Sequence, residues 1–336
     1  MGEFDLIAKY FKRPARDAVL GVGDDCALLL PAPGTHLAVS SDMLVEGRHF
    51  LSTVSPERLG HKALAVNLSD LAACGATPRA FTLALALPRV DEAWLAGFAQ
   101  GLFALADAHG CELVGGDTTQ GPLNICITVL GEVPVVDGRS QALLRSGAQV
   151  GDDIYVSGTL GDARLALEVF RGNVQVPAAV FEHARRRMEQ PSPRVALGVG
   201  LRGLASSAID VSDGFLGDLR HVLQASGVGA QIDIDIAINL LAAPALSTGS
   251  NADLMLQISS AQALEWVFAG GDDYELVFTA APANAHRVAQ AARDAKTRIT
   301  RVGRIEAEPG LRLEGSQGLV QAEKFGSFDH FAPSVK

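Results

Sequence analysis

The apolar positions of this chain switch repeatedly between a period near two and a period near 3.6, the mark of strands alternating with helices. Ser55-Pro56-Glu57 reads as a helix start, with an N-cap Ser and Pro at the first helical position. That helix runs to Gly75, a C-cap, with Pro78 as a breaker. FTLALAL (Phe81 to Leu87) then reads as a strand, and Asp91 caps a second helix that ends at His109 before Gly110. Cys111 to Val114 and Leu123 to Val133 read as strands on either side of a glycine-rich loop.

The second half repeats the style. Ile154 to Ser157 is a strand, Asp162 to Phe170 a helix, and Ala208 to Val211 a buried strand. Phe215 to Ala225 is a helix, Gln231 to Ile236 (QIDIDI) an alternating strand, and Glu275 to Thr279 another strand. Pro191-Ser192-Pro193 separates two helices, and Leu241 to Ser259 has no clear period, as in a surface insertion. The polar, glycine-containing stretch DGRSQALLRSGAQVGDD marks a boundary. The expected division is an N-terminal α/β domain over residues 1–137, a linker over 138–147 and a C-terminal α/β domain over 148–336, two mixed α/β domains rather than one barrel.

Composition supports that picture and adds a puzzle. The 336 residues are 48% apolar and 20% charged, ample for two cores. Lys plus Arg number 28 against 38 Asp plus Glu, a net charge of −10. Disorder, a coiled coil and nucleic-acid binding through a basic surface are excluded. Gly, at 35, exceeds the usual frequency of about 7%. An acidic, glycine-rich chain repels phosphates unless cations stand between them. The opening MGEFDLIAKYFKR lacks the pattern of an export signal, and no window approaches about 18 uncharged apolar residues. Cys26, Cys74, Cys111 and Cys126 show no C-x-x-C spacing, so buried thiols in a cytoplasmic, reduced protein are expected.

The acids fall beside glycines, where strands give way to turns. Asp24-Asp25 follow Gly21-Val22-Gly23, and Asp42 follows Ser40-Ser41 after the short strand Leu37 to Val39. Asp117 follows Gly115-Gly116, Asp213 precedes Gly214, and Asp272-Asp273 follow Gly270-Gly271. Each pair alone is ordinary turn chemistry. Their recurrence points further, because strand ends in α/β sheets commonly form ligand crevices. Two carboxylates about 4 Å apart repel by about 1 kcal/mol in water and about 4 kcal/mol at an effective dielectric of 20. Convergent carboxylates therefore need divalent cations or shared protons, and an all-oxygen donor set points to Mg²⁺ rather than zinc. Asn67 and Asp70, spaced i, i+3, share one face of an otherwise apolar helix; a satisfied core network and a carboxylate aimed at a cation are both open readings.

Several phosphate-handling machines are absent. No Gly-Lys dipeptide exists for a Walker A loop, and neither His-Arg-Asp nor Asp-Phe-Gly occurs. His49 and Arg145 each read alone as surface residues, although Arg's forked donors suit a phosphate. Ser212 reads as a helix cap.

Taken in order, GVGDDCALL (from Gly21), SSDMLVEGRHF (from Ser40), NLSDLAACGATP (from Asn67), GGDTT (from Gly115), RSGA (from Arg145), IDVSDG (from Ile209) and GGDDYEL (from Gly270) closely resemble the thiamine-monophosphate kinase family. The resemblance spans nearly the whole chain. It implies a two-domain fold like that of aminoimidazole-ribonucleotide synthetase, with an N-terminal ATP-binding domain, a C-terminal α/β domain and pairing into a homodimer through the N-terminal halves. It implies direct transfer of the ATP γ-phosphoryl group to thiamine monophosphate, with several Mg²⁺ ions and a monovalent cation such as K⁺, and neither nucleic acid nor membrane as partner.

Carried over by position, the resemblance assigns metal binding to Asp25, Ser40, Ser41, Asp42, Asp70, Asp117, Asp210 and Asp213. It assigns nucleotide contacts to Gly116, Asp117, Arg145 and Ser212, and contacts to the thiamine phosphate to His49, Asp272 and Phe328. No covalent or general-base residue is implied. The family often has Glu where Asp272 stands, so the side chain here is one methylene shorter. Alternatives are another ATP-dependent enzyme of the superfamily or a non-catalytic nucleotide- or metal-binding relative. A selenophosphate synthetase needs a reactive N-terminal Cys or selenocysteine, and a hydrogenase-maturation dehydratase a C-terminal Cys tail. The first Cys here is Cys26, within the GDD motif, and the chain ends Ala-Pro-Ser-Val-Lys.

Overall fold

A computed structural model describes residues 2–242, 258–316 and 318–326. Contacts divide the chain into two units, Met1–Ala142 with Glu189–Val199, and Leu143–Met188 with Gly200–Lys336. Both are mixed α/β, as the alternation of periods implied.

In the first unit, β1 (Thr35–Val45), β2 (Thr77–Leu87), β3 (Glu112–Gln120) and β4 (Asn124–Val136) lie in the order β1-β4-β2-β3. Only β2 and β3 run parallel; β4 is antiparallel to both β1 and β2. Helices α1 (Pro56–Ala73) and α2 (Glu92–Ala108) begin where the sequence signals place them, capped by Ser55 and Asp91. They cross closely enough that a Cβ at Gly60 or Gly101 would lie 2.0 Å from Phe98 O or 1.8 Å from Glu57 O, so each crossing point requires glycine. Alternate residues of the central strands, among them Ile125, Ile127, Val129, Phe81, Leu83 and Leu85, are buried. Segment 189–199 joins this unit through Arg58 Nη1 to Glu189 Oε2 at 2.9 Å and His61 Nε2 to Pro191 O at 2.8 Å.

The second unit carries, among the described residues, a seven-stranded sheet. Its strands are β5 (Asp153–Ser157), β6 (Ser207–Asp210), β7 (Gly229–Asp233), β8 (Leu276–Ala280), β9 (Ile299–Glu306), β10 (Gly310–Gly315) and β11 (Gly318–Gln321). Their order is β11-β10-β7-β9-β5-β8-β6, with β10 parallel to β7 and the other pairs antiparallel. Among the described residues, the unit's longer helices are α3 (Asp162–Phe170), α4 (Ala178–Glu189, all but its last residue), α5 (Phe215–Ser226), α6 (Ser260–Ala269) and α7 (Ala285–Asp294).

Four local expectations need correction. The strand expected from Phe81 starts earlier: β2 begins at Thr77 and takes in Pro78, at an irregularity of the ladder with β4. Gly115-Gly116-Asp117 is not a loop but the middle of β3, paired with β2 residues Thr82 to Ala84 just after a one-residue shift of register. The strand at Leu37 continues through Ser40-Ser41-Asp42 to Val45, because pairing with β4 along its whole length overrides the turn preference of Ser and Asp. QIDIDI leaves the strand at Asp233, whose Oδ1 accepts from Ile236 N at 3.0 Å and caps a short helix, Ile234–Ala237. The thiols also differ from expectation. Cys26 is exposed, Cys74 and Cys126 are half-buried, and only Cys111 is buried, which pushes its thiol up to about 12. Phe328 and most of the Leu241 to Ser259 stretch lie outside the described residues. Among the described residues no helix is long and apolar enough to cross a membrane.

Candidate functional site

The first unit brings two of the sequence motifs into direct contact. Asn67 and Asp70, one turn apart on α1, face Ser40 and Asp42, two residues apart on β1. Asn67 is buried; its Oδ1 accepts from Asp42 N at 3.0 Å, while its Nδ2 donates to Ala63 O at 3.0 Å. Asp70 Oδ2 accepts from Ser40 Oγ at 2.5 Å. The helix motif is thus a satisfied network and also presents a carboxylate beside the SSD motif. Ser41 faces the other way, as strand alternation requires, with its hydroxyl 2.9 Å from Thr128 Oγ1.

Asp117 follows Gly116 on β3. Gly116 has φ +147°, and a Cβ there would lie 1.9 Å from Leu83 O, so no other residue lets the two strands approach this closely. A cavity opens here, lined by Phe11, Val22, Leu83, Leu113, Gly116 and Asp117. Asp24 and Asp25 are exposed on a small hairpin in which Leu20 pairs with Leu28. Asp24 Oδ1 accepts from Asp25 N at 2.9 Å. That hairpin follows residues anchored by Glu112, whose carboxylate accepts from the N–H groups of Arg16, Asp17 and Ala18. Burial works to raise the Glu112 carboxyl, but these donors and the Arg16 charge hold it below its ordinary value. His49, in the turn after β1, accepts at Nδ1 from Val45 N at 3.0 Å, which puts the proton of the neutral ring on Nε2.

In the second unit the IDVSDG and GGDDYEL motifs lie side by side. Asp272 N donates to Ser212 O and Tyr274 N to Val211 O, both at 2.8 Å, and Val211 N returns a bond to Glu275 O at 2.8 Å. Asp210, at the end of β6, is buried, whereas Ser212, Asp213 and Asp272 are half-exposed. The turn is held from below by Asp218, which accepts from Ser212 N at 3.1 Å and Asp213 N at 3.2 Å. Burial, reinforced by the Asp213 charge, pushes the Asp218 carboxyl up to about 7. Arg145 is exposed, and Ser226 Oγ braces its segment by accepting from Gly147 N and Ala148 N.

Sequence reasoning overlooked Asp218 and Ser226. Asp218 carried a usable signal, an acid in the first turn of a helix after a Ser-Asp-Gly turn. Ser226 carried none, since its partners lie almost 80 residues upstream. No three His, Cys, Asp or Glu side chains among the described residues form a cluster able to hold a metal by themselves. The donor chemistry still fits Mg²⁺, which is commonly held by one or two carboxylates and completed by substrate phosphates.

These two units define a class. The N-terminal domain of AIR synthase related proteins matches residues 23–133, and the C-terminal domain of the same proteins matches residues 149–316. Thiamine-monophosphate kinase of Salmonella typhimurium is 44% identical over 98% of this chain and 98% of its own. The crystal structure of thiamine-monophosphate kinase from Stenotrophomonas maltophilia K279a matches with TM-score 0.79 and 42% identity, over 93% of this chain and 95% of that one. A structure of AaThiL complexed with AMPPCP and TMP matches with TM-score 0.70 and 28% identity, over 84% and 85%. The chain belongs to the thiamine-monophosphate kinase family of AIR synthase related proteins.

Proposed function

We propose that this protein transfers the γ-phosphoryl group of ATP to thiamine monophosphate, producing thiamine diphosphate and ADP. The observation that carries the reading is the local assembly of the family's motifs: SSD against NLSD, and DVSDG against GGDD, joined by the bonds described above. In this reading Asp25, Ser40, Asp42, Asp70, Asp117, Asp210 and Asp213 hold several Mg²⁺ ions, and Ser41 joins them through its main chain because its hydroxyl faces away. Bound Mg²⁺ supplies neutralisation of two phosphates that otherwise repel. Gly116, Asp117, Arg145 and Ser212 hold ATP, the bare Gly116 backbone allowing close approach. His49 donates from Nε2 to the thiamine phosphate, and Asp272 and Phe328 hold the rest of that substrate. The acceptor phosphate oxygen is already ionised near neutral pH, so in-line attack needs no general base. A monovalent cation such as K⁺ assists.

The working form is a cytoplasmic homodimer paired through the N-terminal units. Leu37, Val39, Met43 and Val45 expose an apolar row along edge strand β1, a surface that pairing would cover. The test is incubation with ATP, Mg²⁺, K⁺ and thiamine monophosphate. Stoichiometric thiamine diphosphate and ADP are expected; ATP hydrolysis without thiamine diphosphate overturns the reading.

A further inference from the structure

The GGDDYEL segment combines an outward, strained face with an inward, tied one. Asp272 has φ +63° and Tyr274 φ +52°, left-handed conformations uncommon outside glycine and, for a residue as bulky as Tyr, a genuine outlier. Both are half-exposed, whereas Asp273 and Glu275 between and after them are buried. Such a backbone persists only where its surroundings over-determine it.

The ties come from outside both motifs. Arg187 on α4 donates through Nη2 to Asp273 O at 3.1 Å and to Glu275 Oε1 at 2.6 Å. Glu275 Oε2 accepts from Ser157 Oγ at 2.5 Å, and that hydroxyl accepts from Leu276 N at 2.8 Å. Asp273 accepts from Gly161 N with both carboxylate oxygens, at 3.0 and 3.1 Å. One guanidinium therefore grips the residue immediately after Asp272 and the residue immediately after Tyr274.

We infer that Arg187 and Asp273 are positioning residues for the substrate site: they hold the left-handed turn that presents Asp272 next to Ser212. This rests on the reading of Asp272 as a contact for the thiamine phosphate. Both bonds leave the single nitrogen Nη2, so Lys in place of Arg187 keeps the charge and enough donors but moves them to the end of a flexible, unbranched stem. Asn in place of Asp273 keeps the shape but only one accepting oxygen.

The experiment measures KM for thiamine monophosphate, KM for ATP, kcat and Tm for wild type, Arg187→Met, Arg187→Lys and Asp273→Asn. The expected result for Arg187→Met is a KM for thiamine monophosphate raised at least about tenfold, with KM for ATP within about twofold. Arg187→Lys and Asp273→Asn should fall between it and wild type, and they decide the matter if Arg187→Met does not fold. A lowered Tm with both KM values unchanged in the folded variants overturns the positioning role and leaves the kinase reading intact. Absence of thiamine diphosphate with wild-type protein overturns both.

Discussion

Asn67, buried on helix α1, accepts through its side-chain oxygen from the backbone N–H of Asp42 on strand β1, at 3.0 Å. The bond fixes the height of Asp42 relative to the helix that carries Asp70. Asn67→Ala leaves that N–H and the Ala63 carbonyl without these partners, and stability should fall by about 1–3 kcal/mol. Urea unfolding measures the loss. Turnover should fall with it, since Asp42 is no longer held in place.

Asp42→Asn and Asp213→Asn preserve shape and remove charge. Each should lower turnover by at least about 100-fold, equivalent to about 2.7 kcal/mol of barrier. Wild-type-like turnover in both variants, at saturating Mg²⁺, would count decisively against the carboxylates as cation holders.

His49→Ala removes the ring that Val45 N orients. The Michaelis constant for thiamine monophosphate should rise more than that for ATP. Equal increases for the two substrates would take His49 out of the thiamine phosphate site.

Glu112 links acid stability to the segment ahead of the GDD hairpin. Its folded carboxyl titrates below the ordinary 4.5, so the stability it contributes is fully present above that value and is lost as pH falls through the folded one. Glu112→Gln should destabilise the protein at pH 7 by about 2 kcal/mol, the scale of hydrogen bonds to a charged acceptor. The gap from wild type should narrow in unfolding measurements below the ordinary carboxylate range. A gap that stays constant down to pH 3 would rule out this linkage.

Much of the fold was legible because its signals are local. Ser55 and Asp91 cap helices through bonds to residues three positions on, so helix starts could be read within one residue. The Gly115-Gly116-Asp117 stretch could not. It resembles a turn in every local respect, and only pairing with β2 makes it a strand. Asp42 reads as a strand end for the same reason, whereas pairing with β4 carries β1 on to Val45.

The sequence by itself determined the two mixed α/β domains, the order of the motifs and the family they resemble, since these depend on period, capping and residue identity. The tertiary structure decided which side chains share a face. It set Ser40 and Asp42 against Asp70 and Asn67, turned Ser41 away, and brought Arg187 and Gly161 to the turn that bears Asp272. The partners in these contacts are separated by tens of residues in the chain. Hydrogen bonds over such spans have no local periodicity to announce them, and only packing brings their ends together.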